Sequence, residues 1–213
     1  MIKEFEKRLI TSLILIPISI FFIIKGSIFF IFFLSILFLA AGYEWIKMCK
    51  KNFLLKFSGI VFLFFSFYTA YEIRGDESFK DFLLIITICV FTDIGGYIFG
   101  KIFKGPKLTR ISPNKTYSGV FGGFVLSLIA GLVFNQYLYI DQKIFHDNLF
   151  LFVLILFISA ISQVGDLIIS YFKRLSKIKN TGNIFPGHGG LLDRIDGMIF
   201  AFPFIFVISK ILL

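Results

Sequence analysis

Four aspartates in this sequence have the side-chain chemistry and the spacing to hold a cation. Asp93 and Asp166 lie inside apolar stretches, and Asp193 and Asp196 are three residues apart, which puts both on one face of a helix. A carboxylate in hydrocarbon costs roughly 3 kcal/mol, so each needs a cation or a basic partner. Asp193 and Asp196 could approach one cation, and oxygen-rich sites of this kind suit Mg²⁺, which completes its shell with water and phosphate oxygens. For any single aspartate, a structural ion pair remains the alternative.

Two basic segments without a carboxylate lie beside these aspartates. Residues 101–115 contain five lysines and arginines, residues 170–192 contain four, and neither segment contains Asp or Glu. Asp93 precedes the first segment by about two helical turns, Asp166 precedes the second by about one, and Asp193 follows the second. Basic segments next to a metal site favour a ligand rich in phosphate. We expect both segments to be loops.

A glycine-rich stretch at residues 186–190 comes directly before Asp193. Glycines at the start of a helix leave backbone N–H groups free to bind an anion, so Gly189 and Gly190 are candidates for phosphate contacts. His188 in this stretch is either a hydrogen-bonding or capping residue, a metal ligand or a phosphate ligand, and the residues alone leave these alternatives open. Cys49 and Cys89 show no metal-site spacing.

The elements that position these residues follow from the composition. Of 213 residues, 57% are hydrophobic and 16% are charged, and the mean hydropathy is +0.89. Soluble domains average about 45–50% apolar and about 25% charged residues. A soluble globule is therefore excluded, and we predict an all-α polytopic integral membrane protein.

Seven apolar stretches are candidates for transmembrane helices, because a span needs roughly 17–25 apolar residues. The first is interpreted as a retained helix and not as a cleaved signal peptide, because six further spans follow it. The predicted spans are residues 9–24, 27–43, 57–71, 82–100, 119–140, 149–169 and 197–213.

Basic residues alternate between the two sides of these spans. Of the 22 lysines and arginines, 17 fall on the side of the N-terminus and 5 on the other side. The positive-inside rule then predicts a cytoplasmic N-terminus and an outside C-terminus. We divide the chain into an N-terminal transmembrane region, residues 1–80, with three helices, and a catalytic region, residues 81–213, with four helices and both basic segments.

The motifs around these residues resemble the bacterial phosphatidate cytidylyltransferases, also called CDP-diacylglycerol synthases. The likeness runs from about Asp93 to Asp196, and the first three helices match mainly in hydropathy and in the Tyr43-Glu44-Trp45 element. The similar motifs are DIGGY at 93–97, ISPNKT at 111–116, GDL at 165–167, SYFKR at 170–174 and PGHGGLLDRID at 186–196. Two positions depart from the family, which commonly has an acidic residue where this chain has Ile169 and Asn180.

This resemblance implies the reaction CTP + phosphatidate → CDP-diacylglycerol + pyrophosphate, in phospholipid biosynthesis. It also implies Mg²⁺ held by Asp166, Asp193 and Asp196 and, as an open question, a second cation. The catalytic residues that it implies are Asp166, Asp193, Asp196, Lys115, Lys173 and Arg174. The substrate-binding residues that it implies are Asp93, Ser112, Lys115, Thr116, Lys173, Arg174, His188, Gly189, Gly190 and Arg194.

The same resemblance implies CTP, phosphatidate in the bilayer and other membrane lipids as partners, and no nucleic acid. A homodimer is left open. The expected location is the cytoplasmic (inner) membrane, with the active site facing the cytoplasm. Two alternatives remain: another CTP-dependent lipid enzyme, such as a polyprenol kinase that leaves CDP, or an ion-coupled transporter that uses Asp93 and Asp166 as a relay.

Overall fold

The chain folds as a bundle of α-helices joined by short connections. The computed structural model describes residues 4–49, 52–75, 79–109, 111–138, 148–184 and 189–212. Within these ranges there is no strand, and Lys107 and Thr116 form an isolated β-bridge. The helices are α1 Glu4–Lys25, α2 Ser27–Met48, α3 Phe53–Arg74, α4 Phe79–Phe103, α5 Tyr117–Leu138, α6 Asn148–Leu175, α7 Leu192–Ile195 and α8 Met198–Leu212.

The predicted all-helical membrane fold is confirmed in its coarse form. Among the described residues, five helices, α2 to α6, are long and apolar enough to cross a membrane. The first and last predicted spans correspond to α1 and α8, whose apolar parts are shorter, Leu13–Lys25 and Met198–Ile211. Each of the seven predicted stretches therefore holds a helix, whereas seven spans and the orientation of the termini stay predictions.

The prediction that both basic segments are loops is wrong at their first residues. Helix α4 continues to Phe103 and helix α6 continues to Leu175, so Lys101, Lys173 and Arg174 are helical. Basic side chains in the last turn of a helix interact favourably with the negative end of its dipole, which stabilises these extensions. The second connection is consequently shorter than predicted, and Lys173 and Arg174 have fixed positions on α6.

Helices α4 and α5 approach each other closely because glycines line their contact. A Cβ atom on Gly95 would lie 2.2 Å from the carbonyl oxygen of Gly122, and one on Gly119 would lie 2.7 Å from the carbonyl oxygen of Gly96. Small residues allow helices in a bilayer to gain van der Waals contact where no hydrophobic driving force acts between them. The glycines of the DIGGY motif therefore fix α4 against α5.

The interior consists of two apolar clusters. One contains buried residues of α1 to α4, α6 and α8, including Ile85 and Ile155. The other lies nearer the charged end of the bundle and contains Trp45, Ile169 and Leu192. Both clusters combine residues from before and after position 80, so the packing is continuous across the predicted boundary between the two regions.

Arg74, at the end of α3, is hydrogen-bonded to the turn between α1 and α2. This buried side chain donates hydrogen bonds to the Ile23 carbonyl oxygen from Nε (3.1 Å) and from Nη2 (3.0 Å). Its Nη2 also reaches the Ile24 carbonyl oxygen at 3.2 Å, and its Nη1 donates to the Gly75 carbonyl oxygen. The guanidinium thus binds carbonyl groups at the C-terminus of α1 that the helix leaves without partners.

Gly26 makes this contact sterically possible. Its φ is +64°, and a Cβ atom there would lie 2.2 Å from Arg74 Nη2. We expect Gly26→Ala to lower the free energy of unfolding by roughly 2 kcal/mol more than Gly105→Ala, because it also displaces the buried guanidinium. Gly105 is the matched control, since its φ is +92° and a Cβ atom there would meet only Ser118 Oγ at 3.6 Å.

Thermal unfolding of both variants in the same detergent measures this difference. Equal losses in the two variants would show that Arg74 does not restrict Gly26.

Candidate functional site

Charged side chains gather where α2, α4 and α6 end and where α3, α5 and α8 begin. Trp45 Nε1, near the end of α2, donates to the Leu55 carbonyl oxygen of α3 at 3.0 Å. Glu44 of α2 also contacts Thr181, which follows α6. The end of α2, the start of α3 and the segment after α6 therefore meet, and the predicted aspartates and lysines lie near them.

The centre of this region is an ion pair between Lys115 and Asp166. Lys115 Nζ lies 2.5 Å from Asp166 Oδ2, and both side chains are about one quarter exposed (25% and 24%). Ser170 Oγ, one turn further along α6, donates to Asp166 Oδ1 at 3.2 Å. Because the pair is only partly buried, Lys115 is accessible to a ligand that carries negative charge.

Asp196 places a second carboxyl group against Asp166, within hydrogen-bonding contact. Asp196 is 7% exposed. Burial raises its pKa well above the usual range, the negative charges of Asp166 and Asp93 raise it further, and Lys173 lowers it. Two carboxyl groups in contact need a shared proton or a cation between them. This pair therefore has the chemistry of a cation site.

Asp93 on α4 is exposed and carries a third negative charge in the same region. Its carboxylate lies within electrostatic range of Asp166, Lys115 and Arg194. Within the described part of the chain, however, no group of three or more Asp, Glu, His or Cys side chains converges in a geometry that holds a metal. Metal binding by Asp166, Asp193 and Asp196 therefore stays a prediction.

Asp193 is engaged by a separate set of donors. Lys173 Nζ lies 2.8 Å from Asp193 Oδ1, and these side chains are only 10% and 7% exposed. The N–H groups of Thr181 and Gly190 donate to Asp193 Oδ2 at 2.9 and 3.0 Å. Three donors thus use most of the hydrogen-bonding capacity of the two carboxylate oxygens. Because the donors come from different segments, Asp193 connects α6, the Thr181 segment and the start of α7.

Glu44 is a structural residue of this region whose role the sequence analysis missed. It is 1% exposed, and its carboxylate accepts hydrogen bonds from the N–H groups of Leu191 and Leu192, both at 2.9 Å. Thr181 Oγ1 donates to Glu44 Oε2 at 2.8 Å. The backbone N–H groups of Leu191 and Leu192 thus bind the protein's own glutamate, and phosphate contacts at Gly189 and Gly190 stay a prediction.

The segment between α4 and α5 is a short hairpin that presents Lys115. The Leu108 N–H donates to the Lys115 carbonyl oxygen at 2.8 Å, and the Lys115 N–H donates to the Ser112 carbonyl oxygen at 3.1 Å. Thr116 Oγ1 accepts from the Gly119 N–H at 3.1 Å and caps α5. Ser112 and Thr116 therefore shape the loop that carries Lys115.

Arg174 connects this hairpin to the end of α6. Its side chain is exposed, with Nε donating to the Ile111 carbonyl oxygen at 3.3 Å and Nη1 donating to the Ile178 carbonyl oxygen at 3.1 Å. Arg174 thus lies at the outer edge of the charged region, where a soluble ligand would arrive.

The remaining predicted residues have different outcomes. His188 lies outside the described residues. Gly189 has a φ of +88°, and a Cβ atom on it would lie 3.0 Å from Asp193 Oδ2. Ile169 is 2% exposed and belongs to the apolar cluster of Trp45, whereas Asn180 is exposed beside Gly189. The contacts of these residues with a substrate or a metal stay predictions.

Similarity to known proteins agrees with this geometry. The cytidylyltransferase family matches residues 51–212. A phosphatidate cytidylyltransferase of Rickettsia bellii is 30% identical over 97% of this chain and 91% of its own length. A phosphatidate cytidylyltransferase of Rickettsia felis is 32% identical over 95% of this chain and 91% of its own length. A Staphylococcus epidermidis phosphatidate cytidylyltransferase is 41% identical over 68% of this chain and 52% of its own length.

The pairing of Glu44 can be tested directly. We expect Glu44→Gln to weaken the start of α7, because the amide NH₂ would face N–H groups and leave a buried donor unsatisfied, at a cost of about 1–3 kcal/mol. Hydrogen exchange at Leu191 and Leu192 should become at least about tenfold faster, as measured by mass spectrometry.

Glu72→Gln is the matched control, because Glu72 is an exposed glutamate of α3. Unchanged exchange in Glu44→Gln would contradict the role given to Glu44.

Proposed function

The chain belongs to the cytidylyltransferase family, and we propose that it catalyses CTP + phosphatidate → CDP-diacylglycerol + pyrophosphate in phospholipid biosynthesis. One observation carries the proposal. A cluster of lysines and half-buried aspartates lies at one end of an apolar bundle, in a chain that is similar along almost its whole length to relatives named phosphatidate cytidylyltransferase. Such a cluster meets the needs of a reaction between a nucleotide and a membrane lipid.

The chemistry is an encounter between two polyanions. An oxygen of the lipid phosphate attacks the α-phosphorus of CTP, a new P–O bond forms, and the bond to the β-phosphate oxygen breaks, so pyrophosphate leaves with the electron pair. The attacking phosphate is already ionised near neutral pH, and no general base is required. What the protein must supply is positive charge and alignment.

Lys115, Lys173 and Arg174 are the residues that we assign to this charge neutralisation. Lys115 is partly exposed beside Asp166, so its ammonium can turn to a phosphate oxygen without unfolding the hairpin. Arg174 at the outer edge offers a planar guanidinium that binds phosphate in a bidentate manner. Lys173 is buried against Asp193 and supplies a fixed positive charge behind the two reacting groups.

Asp166 and Asp196 are the residues that would hold Mg²⁺. Two carboxyl groups in contact, one with a raised pKa, fit a divalent cation, and Mg²⁺ needs only one or two protein carboxylates when phosphates complete its shell. A bound Mg²⁺ would neutralise phosphate charge in the transition state. Asp193 already accepts three hydrogen bonds, so we assign it the support of this site, with direct coordination as the alternative, and Asp93 is the neighbour suited to a second cation.

The arrangement in the membrane that we propose has seven spans, a cytoplasmic N-terminus and an active site facing the cytoplasm across the inner membrane. The charged region lies at the helix ends that carry the excess of basic residues. CTP is a cytosolic nucleotide, which agrees with this orientation. The lipid substrate would reach the same plane from within the bilayer, at headgroup depth.

Purified protein in detergent tests the reaction. With phosphatidate, Mg²⁺ and CTP labelled in its α-phosphate, we expect label in CDP-diacylglycerol and an equal amount of pyrophosphate. Removal of Mg²⁺ by a chelator should abolish both products.

Release of CDP would instead indicate a kinase. Absence of any phosphatidate-dependent product from folded protein would contradict the proposed function.

Lys115→Met tests the charge assignment. We expect turnover to fall by about a hundredfold or more, because one positive charge at the reacting phosphates is lost. Lys115→Arg should recover part of the activity, since it keeps the charge.

The control is Lys107→Met in the same hairpin, where the lysine side chain is exposed. Equal effects at the two positions would show that Lys115 acts only through the net charge of the loop.

A further inference from the structure

An apolar cavity of about 590 Å³ lies between α1, α2, α3, α4 and the segment of α7 and α8. Its volume falls within the range of about 300–1,000 Å³ that is typical of small-molecule sites. Along α4 the lining runs from Phe82 to Val90, which spans roughly 12 Å at about 1.5 Å per residue. The cavity is therefore elongated along the helix axes.

The two ends of the cavity differ in chemistry. Ile23, Ala70 and Phe82 are buried at the end distant from the charged region, where Phe82 stacks on Phe202 at 4.8 Å between ring centroids. At the other end Arg194 lines the cavity, and its charge acts on Asp93. Among the described residues that line the cavity, Arg194 alone is charged. The cavity thus leads from apolar depth to the candidate active site.

An occupant of this cavity must combine a long apolar body with an anionic head. Phospholipid chains have that shape, and the charge of Arg194 complements a phosphate. Transfer of a chain from bilayer to cavity gains little hydrophobic free energy, because lipid tails are as apolar as the cavity wall. The cavity would therefore act by shape, holding the head at one position relative to the aspartates.

Helix α1 offers a path from the bilayer into this space. It packs chiefly against α2, whereas α2, α3, α4, α6 and α8 each pack against several helices. Its cavity-lining residues Ile16, Ile18 and Ile20 are 58%, 44% and 43% exposed, so they border both the cavity and the lipid. A wall with few packing partners can move aside at low cost.

We propose that this cavity binds an acyl chain of the lipid substrate, with the substrate's phosphate beside Arg194. The proposal rests on the proposed function. It adds a binding place for the acyl chain and makes the cavity a determinant of acyl-chain length. Filling the cavity should therefore discriminate against long acyl chains while it leaves the nucleotide site intact.

Ser66→Phe provides the test, because Ser66 lines the cavity on α3 and is 2% exposed. With palmitoyl and octanoyl phosphatidate as probes, we expect the ratio of kcat/KM, long chain over short chain, to fall at least about tenfold, while KM for CTP stays within about twofold. Ala70→Leu is a smaller change at the distant end of the cavity and should lower the same ratio by less. It replaces Ser66→Phe as the test if that variant does not fold.

Ser35→Phe is the matched control, since Ser35 is exposed on α2 and lies outside the cavity. If the long-chain to short-chain ratio of kcat/KM is unchanged in both folded cavity variants, the proposal for the cavity is overturned. Activity of the wild type would still support the proposed function in that case. A stoichiometric lipid other than phosphatidate that stays bound in native mass spectrometry during turnover would also overturn it. Lack of activity in the wild type would contradict the proposed function itself.

Discussion

The Glu44 carboxylate has to be paired because it is buried inside an apolar bundle, and the geometry of the site depends on that pairing. The free-energy cost of burying an unpaired charge at such depth far exceeds the free energy that any single hydrogen bond contributes. The donors that satisfy it are the N–H groups of Leu191 and Leu192 and the hydroxyl of Thr181. These bonds attach the start of α7 to α2. With α7 fixed in this way, Asp193 meets Lys173 and Asp196 meets Asp166.

The carboxylates at this end of the bundle fall into two kinds, which differ in the number of donors they receive. Glu44 and Asp193 each accept three hydrogen bonds and are almost fully buried, so their charges serve the architecture. Asp166 and Asp196 contact each other and have Lys115 and Ser170 as donors on Asp166. Without a shared proton, the two carboxylates carry more negative charge than Lys115 neutralises. A cation stabilises such a pair, while at the first kind it would have to displace existing donors. The number of donors that a carboxylate receives therefore separates the structural carboxylates from the candidate metal ligands more clearly than residue type does.

Much of the helical architecture could be predicted from the sequence, because long apolar stretches in a bilayer leave few alternatives to helices. The approximate places of Asp93, Asp166 and Lys115 also followed, since charges in or beside apolar helices are conspicuous. Glu44 could not be identified, because it stands one residue beyond the apparent end of an apolar stretch and resembles a solvated interface residue. Only the continuation of α2 to Met48 and the fold of the distant Thr181 segment bury it. Likewise the spacing of Asp193 and Asp196 indicated a shared helix face, but the partners of each side chain come from other elements.

Placing this chemistry at helix ends follows from the same physics that forms the bundle. In mid-bilayer every backbone group is bonded within its helix, so no N–H or C=O group is free to hold a side chain or a ligand. The ends of α4, α6 and α7 have backbone groups that their own helix cannot pair, and basic residues in the last turns of α4 and α6 complement the negative ends of those helices. The charged region therefore forms where the apolar cavity meets the helix ends, at Arg194. A lipid held in that cavity would bring its phosphate to the one plane where hydrocarbon, fixed positive charge and paired aspartates coincide.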